Sequence, residues 1–323
     1  MRMLMYLTAM IAGFVLLVWG ADRVVIGAGA TARNLGIPPM LIGLTVVGFA
    51  TSLPEVVVSA TAALADAPNL AIGNALGSNI ANIGLVLAVA AIVRPLSIQS
   101  LTLRKELPVM LAVTLAPVVL FMDRVLSRLD GFVLLAGLAG FVIWIWRLGS
   151  STRGRDPIEA QYAAELPSGV SAAQAAWAIV FGLALLLGGA NALVWGSENL
   201  ARTLGVSDLI LGVTVVAIGT SLPELAVSVV SARKGEHGLA LGNVIGSNAF
   251  NLLAVIGIAA AINPATLEAD AVMLHLPVMI GFTLAFFFIA YNQSDTMRVG
   301  RTAGFLLLSG YAAYLGYIVL GLL

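Results

Sequence analysis

The sequence predicts an all-α membrane protein of ten transmembrane helices, built as two five-helix repeats inserted in opposite senses. Three observations predict it. The 323 residues are 60% hydrophobic and only 10% charged, with a mean hydropathy of +1.03, whereas soluble domains carry about 25% charged residues. Residues 20 to 131 can be laid on residues 189 to 300 without a gap, and each half then contains five apolar stretches, each near the roughly 20 residues a bilayer crossing needs. Five is odd, so the second half must enter the membrane from the opposite side, with a pseudo-two-fold axis in the membrane plane.

The stretches can be taken in order. The first, 4 to 32, follows Arg2 and so imitates a secretory leader, but its apolar run passes Trp19 and continues from Ala21 to Ala32 without a convincing cleavage site; we read it as a span. The rest of the first half is expected at 39 to 65, 70 to 93, 105 to 122 and 128 to 148. The second half follows at 173 to 200, 208 to 233, 239 to 262, 271 to 291 and 299 to 322. The domains are therefore 1 to 148, a polar linker at 149 to 172, and 173 to 323, with central motifs at 43 to 82 and 212 to 251. The linker, with Arg153, Arg155, Asp156, Glu159 and Glu165, is read mainly as a joint.

Duplication explains the match between the halves. Gly20-Ala21-Asp22 falls on Gly189-Ala190-Asn191, and Thr51-Ser52-Leu53-Pro54-Glu55 on Thr220-Ser221-Leu222-Pro223-Glu224. Gly77-Ser78-Asn79 meets Gly246-Ser247-Asn248, Asn82 meets Asn251, and Pro95 meets Pro264, always 169 positions apart. Shared apolar composition would scatter Leu and Ala matches but would not hold one offset through rare Pro, Asn and Glu.

Charge sets the orientation. Arg2, Arg124, Arg128 and Arg202 fall on one side, against Arg33, Arg94, Arg104, Lys105, Arg147, Arg153, Arg155, Arg233, Lys234, Arg298 and Arg301 on the other. Positive residues stay inside, which puts both termini outside and the linker in the cytoplasm. Zero net charge and no dense basic run give no sign of a nucleic-acid partner. Without cysteine there is no disulfide framework or thiolate site. The sequence has no His-Glu-x-x-His or Gly-x-Ser-x-Gly, and His237 and His275 are its two histidines, so an intramembrane enzyme is not expected.

Two glutamates in this background stand out. A carboxylate inside a span costs roughly 2.5 to 3.5 kcal/mol on insertion scales and marks a functional site by default, so Glu55 and Glu224 are the first candidates. Beside them, Pro54 and Pro223 should break their helices and loosen carbonyls around Gly48 to Ala50 and Ala217 to Gly219. Thr51 and Glu55 are four apart and share a helical face, as do Thr220 and Glu224. The next span of each half adds Asn74, Ser78 and Asn82, or Asn243, Ser247 and Asn251, again at steps of four. All are oxygen donors. Hard cations such as Ca²⁺ and Na⁺ suit such a set, and zinc or copper does not. Two carboxylates neutralise one divalent ion, and an empty pair would take up a proton or monovalent ions instead. Mutually exclusive occupancy is a physical basis for exchange.

Other positions have plainer readings. Gly43, Gly73, Gly77, Gly84, Gly212, Gly242 and Gly246 are expected to serve helix packing. Asn79 and Asn248 should make interhelical hydrogen bonds, Ser59 and Ser228 should be structural, and Asn74 and Asn243 stay open between ligand and structural roles. Asp22 with Arg23 is a buried or an interfacial pair, and His275 is expected near the interface.

At these residues the sequence resembles the cation/Ca²⁺ exchanger superfamily, above all its prokaryotic Na⁺/Ca²⁺ exchangers. The doubled Thr-Ser-Leu-Pro-Glu and Gly-Ser-Asn-x-x-Asn motifs carry the resemblance over essentially the whole chain. It implies ten spans, four central ion sites, and alternating access in which the first and sixth helices slide across an eight-helix core. It implies Ca²⁺ coordination by Thr51, Glu55, Thr220 and Glu224. Sodium sites would draw on Ser52, Ser78, Ser221 and Ser247 with the carbonyls of Gly48 and Ala217, and Asn82 and Asn251 would complete the centre. Two departures stand out: Ala50 replaces a usual glycine, and Asn251 replaces the aspartate of some relatives, which argues against K⁺ cotransport. The implied activity is electrogenic Na⁺/Ca²⁺ antiport in the inner cell membrane with no cofactor beyond the transported ions. The alternatives are H⁺/Ca²⁺ or K⁺-dependent Na⁺/Ca²⁺ exchange. The partners are then Ca²⁺, Na⁺ and the lipid bilayer; the oligomeric state is open, and a monomer is compatible with the layout.

Overall fold

The computed structural model describes residues 2–35, 51–98, 101–152, 169–290 and 297–321. The apolar stretches are helical, as they must be where backbone groups have no water to bond and find partners only within their own segment. The first half contains α1 (Arg2–Asn34), α2 (Leu53–Leu64), α3 (Pro68–Val93), α4 (Leu101–Leu120) and α5 (Arg128–Thr152). The second contains α6 (Ala172–Leu204), α7 (Asp208–Thr220), α8 (Leu222–Lys234), α9 (His237–Ile262), α10 (Ala271–Ala290) and α11 (Arg301–Gly321). The axes of α7 and α8 differ by 42°, making them two limbs of one broken span. Every expected span is represented. The second, expected over 39 to 65, is seen from Thr51 onward, and Gly43, Gly48 and Ala50 lie outside the described residues.

Burial separates the layers. In α3 and α9, 78% of the apolar window is covered by protein, against 22 to 33% in α1, α5, α6, α10 and α11. The repeat-related pair α3 and α9 is therefore the centre of the bundle, and the others present apolar faces to lipid. Glycines let the central helices approach their neighbours, as the sequence suggests. A Cβ added to Gly73 would lie 2.5 Å from the Leu209 carbonyl oxygen of α7, and one on Gly212 would lie 2.6 Å from that of Leu70. A Cβ on Gly77 would lie 2.5 Å from Val213 Cα, whereas one on Gly246 meets nothing within 4 Å among the described residues. The long helices α1 and α6 pack on each other through a second glycine seam: a Cβ on Gly13 would lie 2.8 Å from the Gly189 oxygen, and one on Gly189 2.8 Å from the Gly13 oxygen.

Four short strands modify the all-helical expectation. β1 (Leu96–Ile98) pairs antiparallel with β4 (Met297–Val299), and β2 (Val125–Leu126) with β3 (Ala265–Thr266). Leu96 and Ala265 are repeat equivalents just beyond Pro95 and Pro264, where each central helix ends. Each ribbon thus joins a connection in one half to a connection in the other.

Candidate functional site

The two breaks have the same backbone. Ser52 sits at φ −86°, ψ 5° and Ser221 at φ −82°, ψ 5°, and helix resumes at Leu53 and Leu222. Pro54 and Pro223 then occupy the first turn of the new limb, where a missing N–H is no loss. The Ala217 carbonyl accepts from the Ser221 N–H at 3.1 Å and has Thr220 Oγ1 at 3.4 Å as a second, longer contact. In α3 and α9 the helix widens into a π-helical segment at Asn82–Leu87 and Asn251–Val255, beginning at repeat-equivalent asparagines. Such bulges concentrate at functional sites because the extra residue turns side chains and carbonyls out of their usual register.

The breaks bring both glutamates into the protein interior. Glu55 and Glu224 are fully buried. Each is tied to the opposite half: Ser221 Oγ donates to Glu55 Oε1 at 3.4 Å, and Ser52 Oγ donates to Glu224 Oε1 at 3.3 Å. Ser247 Oγ adds a second donor to Glu224 Oε1 at 3.4 Å. Oε2 of each glutamate has no hydrogen-bond partner among the described residues.

Hydroxyls and amides surround this pair. Thr51 Oγ1 donates to Asn243 Oδ1 at 3.0 Å and lies 3.5 Å from Ser247 Oγ. Thr220 Oγ1 donates to Asn74 Oδ1 at 3.1 Å and lies 3.5 Å from Ser78 Oγ. Asn82 donates through Nδ2 to Asn248 Oδ1 at 3.1 Å, while its own Oδ1 and both polar atoms of Asn251 have no partner among the described residues. All these residues are buried. Hydrogen bonds and close contacts thus link Thr51, Ser52 and Ser78 of the first half with Thr220, Glu224 and Ser247 of the second, and Glu55 with Ser221. Ala217, Asn82 and Asn251 are buried, no hydrogen bond among the described residues ties Asn82 or Asn251 to the glutamates, and Gly48 is outside the described residues. Among the described residues no three His, Cys, Asp or Glu side chains form a metal cluster. The acidic groups are a pair of carboxyls in a shell of neutral oxygens, a composition suited to hard cations.

The structure places several other residues. Asn79 and Asn248 both make the expected interhelical bonds: Asn248 Oδ1 accepts from Asn82 Nδ2 at 3.1 Å, and Asn79 Nδ2 donates to Met279 Sδ of α10 at 3.5 Å. Ser59 and Ser228 accept hydrogen bonds from Asn74 and Asn243. Asp22 and Arg23 form a 3.5 Å ion pair with side chains about half exposed, so the pair is not buried. His275 lies in the first turns of α10 and is buried within the protein, with Nδ1 2.8 Å from the Tyr314 hydroxyl. A π-helical turn, Ala271–His275, turns it inward toward α11, and no spacing in the sequence announces that partner.

Comparison with known proteins agrees with this architecture. The family described as "Sodium/calcium exchanger protein" matches residues 5–147 and 174–320, which is both halves without the linker. The chain is 43% identical to the "Putative antiporter CaxA" of Alkalimonas amylolytica, covering 94% of this chain and 95% of that protein. It is 38% identical to the "Inner membrane protein YrbG" of Escherichia coli (strain K12), covering 98% and 97%. Among solved structures it is similar to the sodium-calcium exchanger NCX_Mj soaked with 100 mM Na⁺ and 10 mM Sr²⁺, at 32% identity, a TM-score of 0.68, and 97% and 98% coverage. With one glutamate from each half brought into a shared interior region and a family match over both repeats, the chain belongs to the sodium/calcium exchanger family of membrane antiporters.

Proposed function

We propose that this protein exchanges Na⁺ for Ca²⁺ across the inner cell membrane by alternating access, using Na⁺ influx to extrude Ca²⁺. The observation that carries the reading is the pair Glu55 and Glu224. Both are buried, each is cross-linked to the other half through a serine, and each keeps Oε2 without a hydrogen-bond partner among the described residues. Two negative charges balance one Ca²⁺. When it leaves, their repulsion in a low-dielectric interior favours replacement by monovalent cations rather than a vacant site. Thr51 and Thr220 join the glutamates on Ca²⁺, while Ser52, Ser78, Ser221 and Ser247, with the Ala217 and Gly48 carbonyls, serve Na⁺. Asn82 and Asn251 complete the centre without adding charge.

The layout follows the same reading: repeats at 1–148 and 173–323, a cytoplasmic linker at 149–172, and both termini outside. The transported ions are the ligands, with no cofactor. If the exchange moves net charge, each elementary charge couples about 2.3 kcal/mol per 100 mV of membrane potential. The test is ⁴⁵Ca²⁺ accumulation by the purified protein in Na⁺-loaded vesicles with pH clamped on both sides. Uptake that needs the outward Na⁺ gradient and is unchanged by K⁺ supports the proposal. Uptake driven instead by a pH gradient, and indifferent to Na⁺, assigns the protein to H⁺/Ca²⁺ exchange.

A further inference from the structure

We propose that Asn74 and Asn243 are positioning residues, each latching the broken helix of its own half to the threonine of the other; this rests on the site reading given above. The amide of Asn74 uses both N–H groups on its own half, reaching Ser59 Oγ at 3.0 Å and the Glu55 main-chain carbonyl at 3.3 Å. Its oxygen faces the other half and accepts from Thr220 Oγ1 at 3.1 Å, with Ser78 Oγ at 3.5 Å. Asn243 repeats the pattern: Ser228 Oγ at 3.1 Å, the Glu224 carbonyl at 3.2 Å, and Thr51 Oγ1 at 3.0 Å. The same four-group connection occurs twice, from different atoms, at the same offset of 169.

The chemistry follows from the hydrogen-bonding capacity of each group. A side-chain amide has two donors and one acceptor oxygen, and these contacts engage both donors and that oxygen. A threonine that coordinates a cation must turn its proton away so that a lone pair faces the ion. Asn74 and Asn243 supply an acceptor for that proton on the far side of the hydroxyl. The Val216 carbonyl of the threonine's own helix, also 3.1 Å from Thr220 Oγ1, is an alternative acceptor for that single proton. The asparagines orient ligands without being ligands. Because each latch ends on a glutamate backbone in one half and a threonine in the other, it keeps the two broken helices in register around the ion.

The experiment measures the apparent Ca²⁺ affinity of Na⁺-gradient-driven uptake for full-length variants in vesicles. Asn243→Leu should weaken it on the order of 10-fold, the scale of lost supporting contacts around bound metal ions, and Thr51→Val, which removes the ligand together with its latch, at least as much. With the hydroxyl gone Asn243 has nothing left to orient, so the double variant should be little worse than Thr51→Val alone. Thr51→Val with Asn74→Leu cuts two links, and their effects should multiply. Effects that multiply within the Thr51–Asn243 pair, or leucine variants with wild-type Ca²⁺ affinity, overturn the proposal. A merely structural role would lower the yield of folded protein without this pairing pattern. If the leucine variants do not fold, Ser228→Ala and Ser59→Ala loosen the same latches: a weakened Ca²⁺ affinity supports the proposal, and an unchanged one overturns it. Glu55→Gln and Glu224→Gln separate the two levels. If they retain uptake, the site reading itself fails; if they abolish it while the latch variants are silent, only the latch fails.

Discussion

Glu224→Gln tests the central claim with almost no change in shape. In the native protein, Ser52 and Ser247 both donate to Glu224 Oε1, which leaves Oε2 for a cation. Glutamine keeps the volume but removes the charge, and it must turn an N–H₂ group toward either the serines or the ion. At an effective dielectric of about 20, a unit charge about 4 Å from another contributes about 4 kcal/mol. A divalent ion therefore loses about 8 kcal/mol and a monovalent ion about 4 kcal/mol. The difference of about 4 kcal/mol is roughly a thousandfold shift in preference from Ca²⁺ to Na⁺. The assay is paired ⁴⁵Ca²⁺ and ²²Na⁺ uptake into Na⁺-loaded vesicles. Ca²⁺ uptake should vanish, with Na⁺/Na⁺ exchange less affected. If the variant retains near-normal Ca²⁺ uptake, or loses both ions equally while remaining folded, the charge-balance argument is wrong.

Further predictions concern other parts of the molecule. Asn251→Asp places a third carboxylate among buried groups where Asn251 now has no partner among the described residues; Na⁺-driven flux should slow or become pH-dependent, and unchanged flux across pH 6 to 8 would remove Asn251 from the centre. Gly219→Ala puts a methyl group into the ring of Phe14 on α1, so it should destabilise the protein by about 1 to 3 kcal/mol, as overpacking does; a melting curve in detergent reads the loss, and Phe14→Ala should restore much of it. Tyr314→Phe strips His275 Nδ1 of its 2.8 Å partner and should cost about 1 to 3 kcal/mol of stability, with Ca²⁺ uptake retained if His275 is structural.

Much of the site was legible because its residues are costly where they stand. Glutamate and proline are rare in apolar spans, and Pro54-Glu55 and Pro223-Glu224 at one offset mark the candidate site region from sequence. The hydroxyls and amides of α3 and α9 followed from steps of four on a helix. Asn74 and Asn243 were harder to place, because a buried amide serves equally as ligand or brace and only its partners decide. The partner of His275 is hidden for a related reason: it comes from a local π-helical turn and from Tyr314 in another helix, and neither has a signature in residue spacing. The ribbons β1–β4 and β2–β3 join connections far apart in the chain, and strands of two or three residues have no periodicity to read.

Hydropathy, the repeat and the parity of five spans depend on residue identity and order, so the chain alone settled that it is a membrane protein of ten helices in two inverted halves. Which oxygens face one another depends on how those halves dock. The docking sets Ser52 against Glu224 and Ser221 against Glu55, and brings Asn74 and Asn243 each to the other half's threonine. Hydrogen bonds over a few ångströms between segments 140 or more residues apart leave no imprint on local sequence.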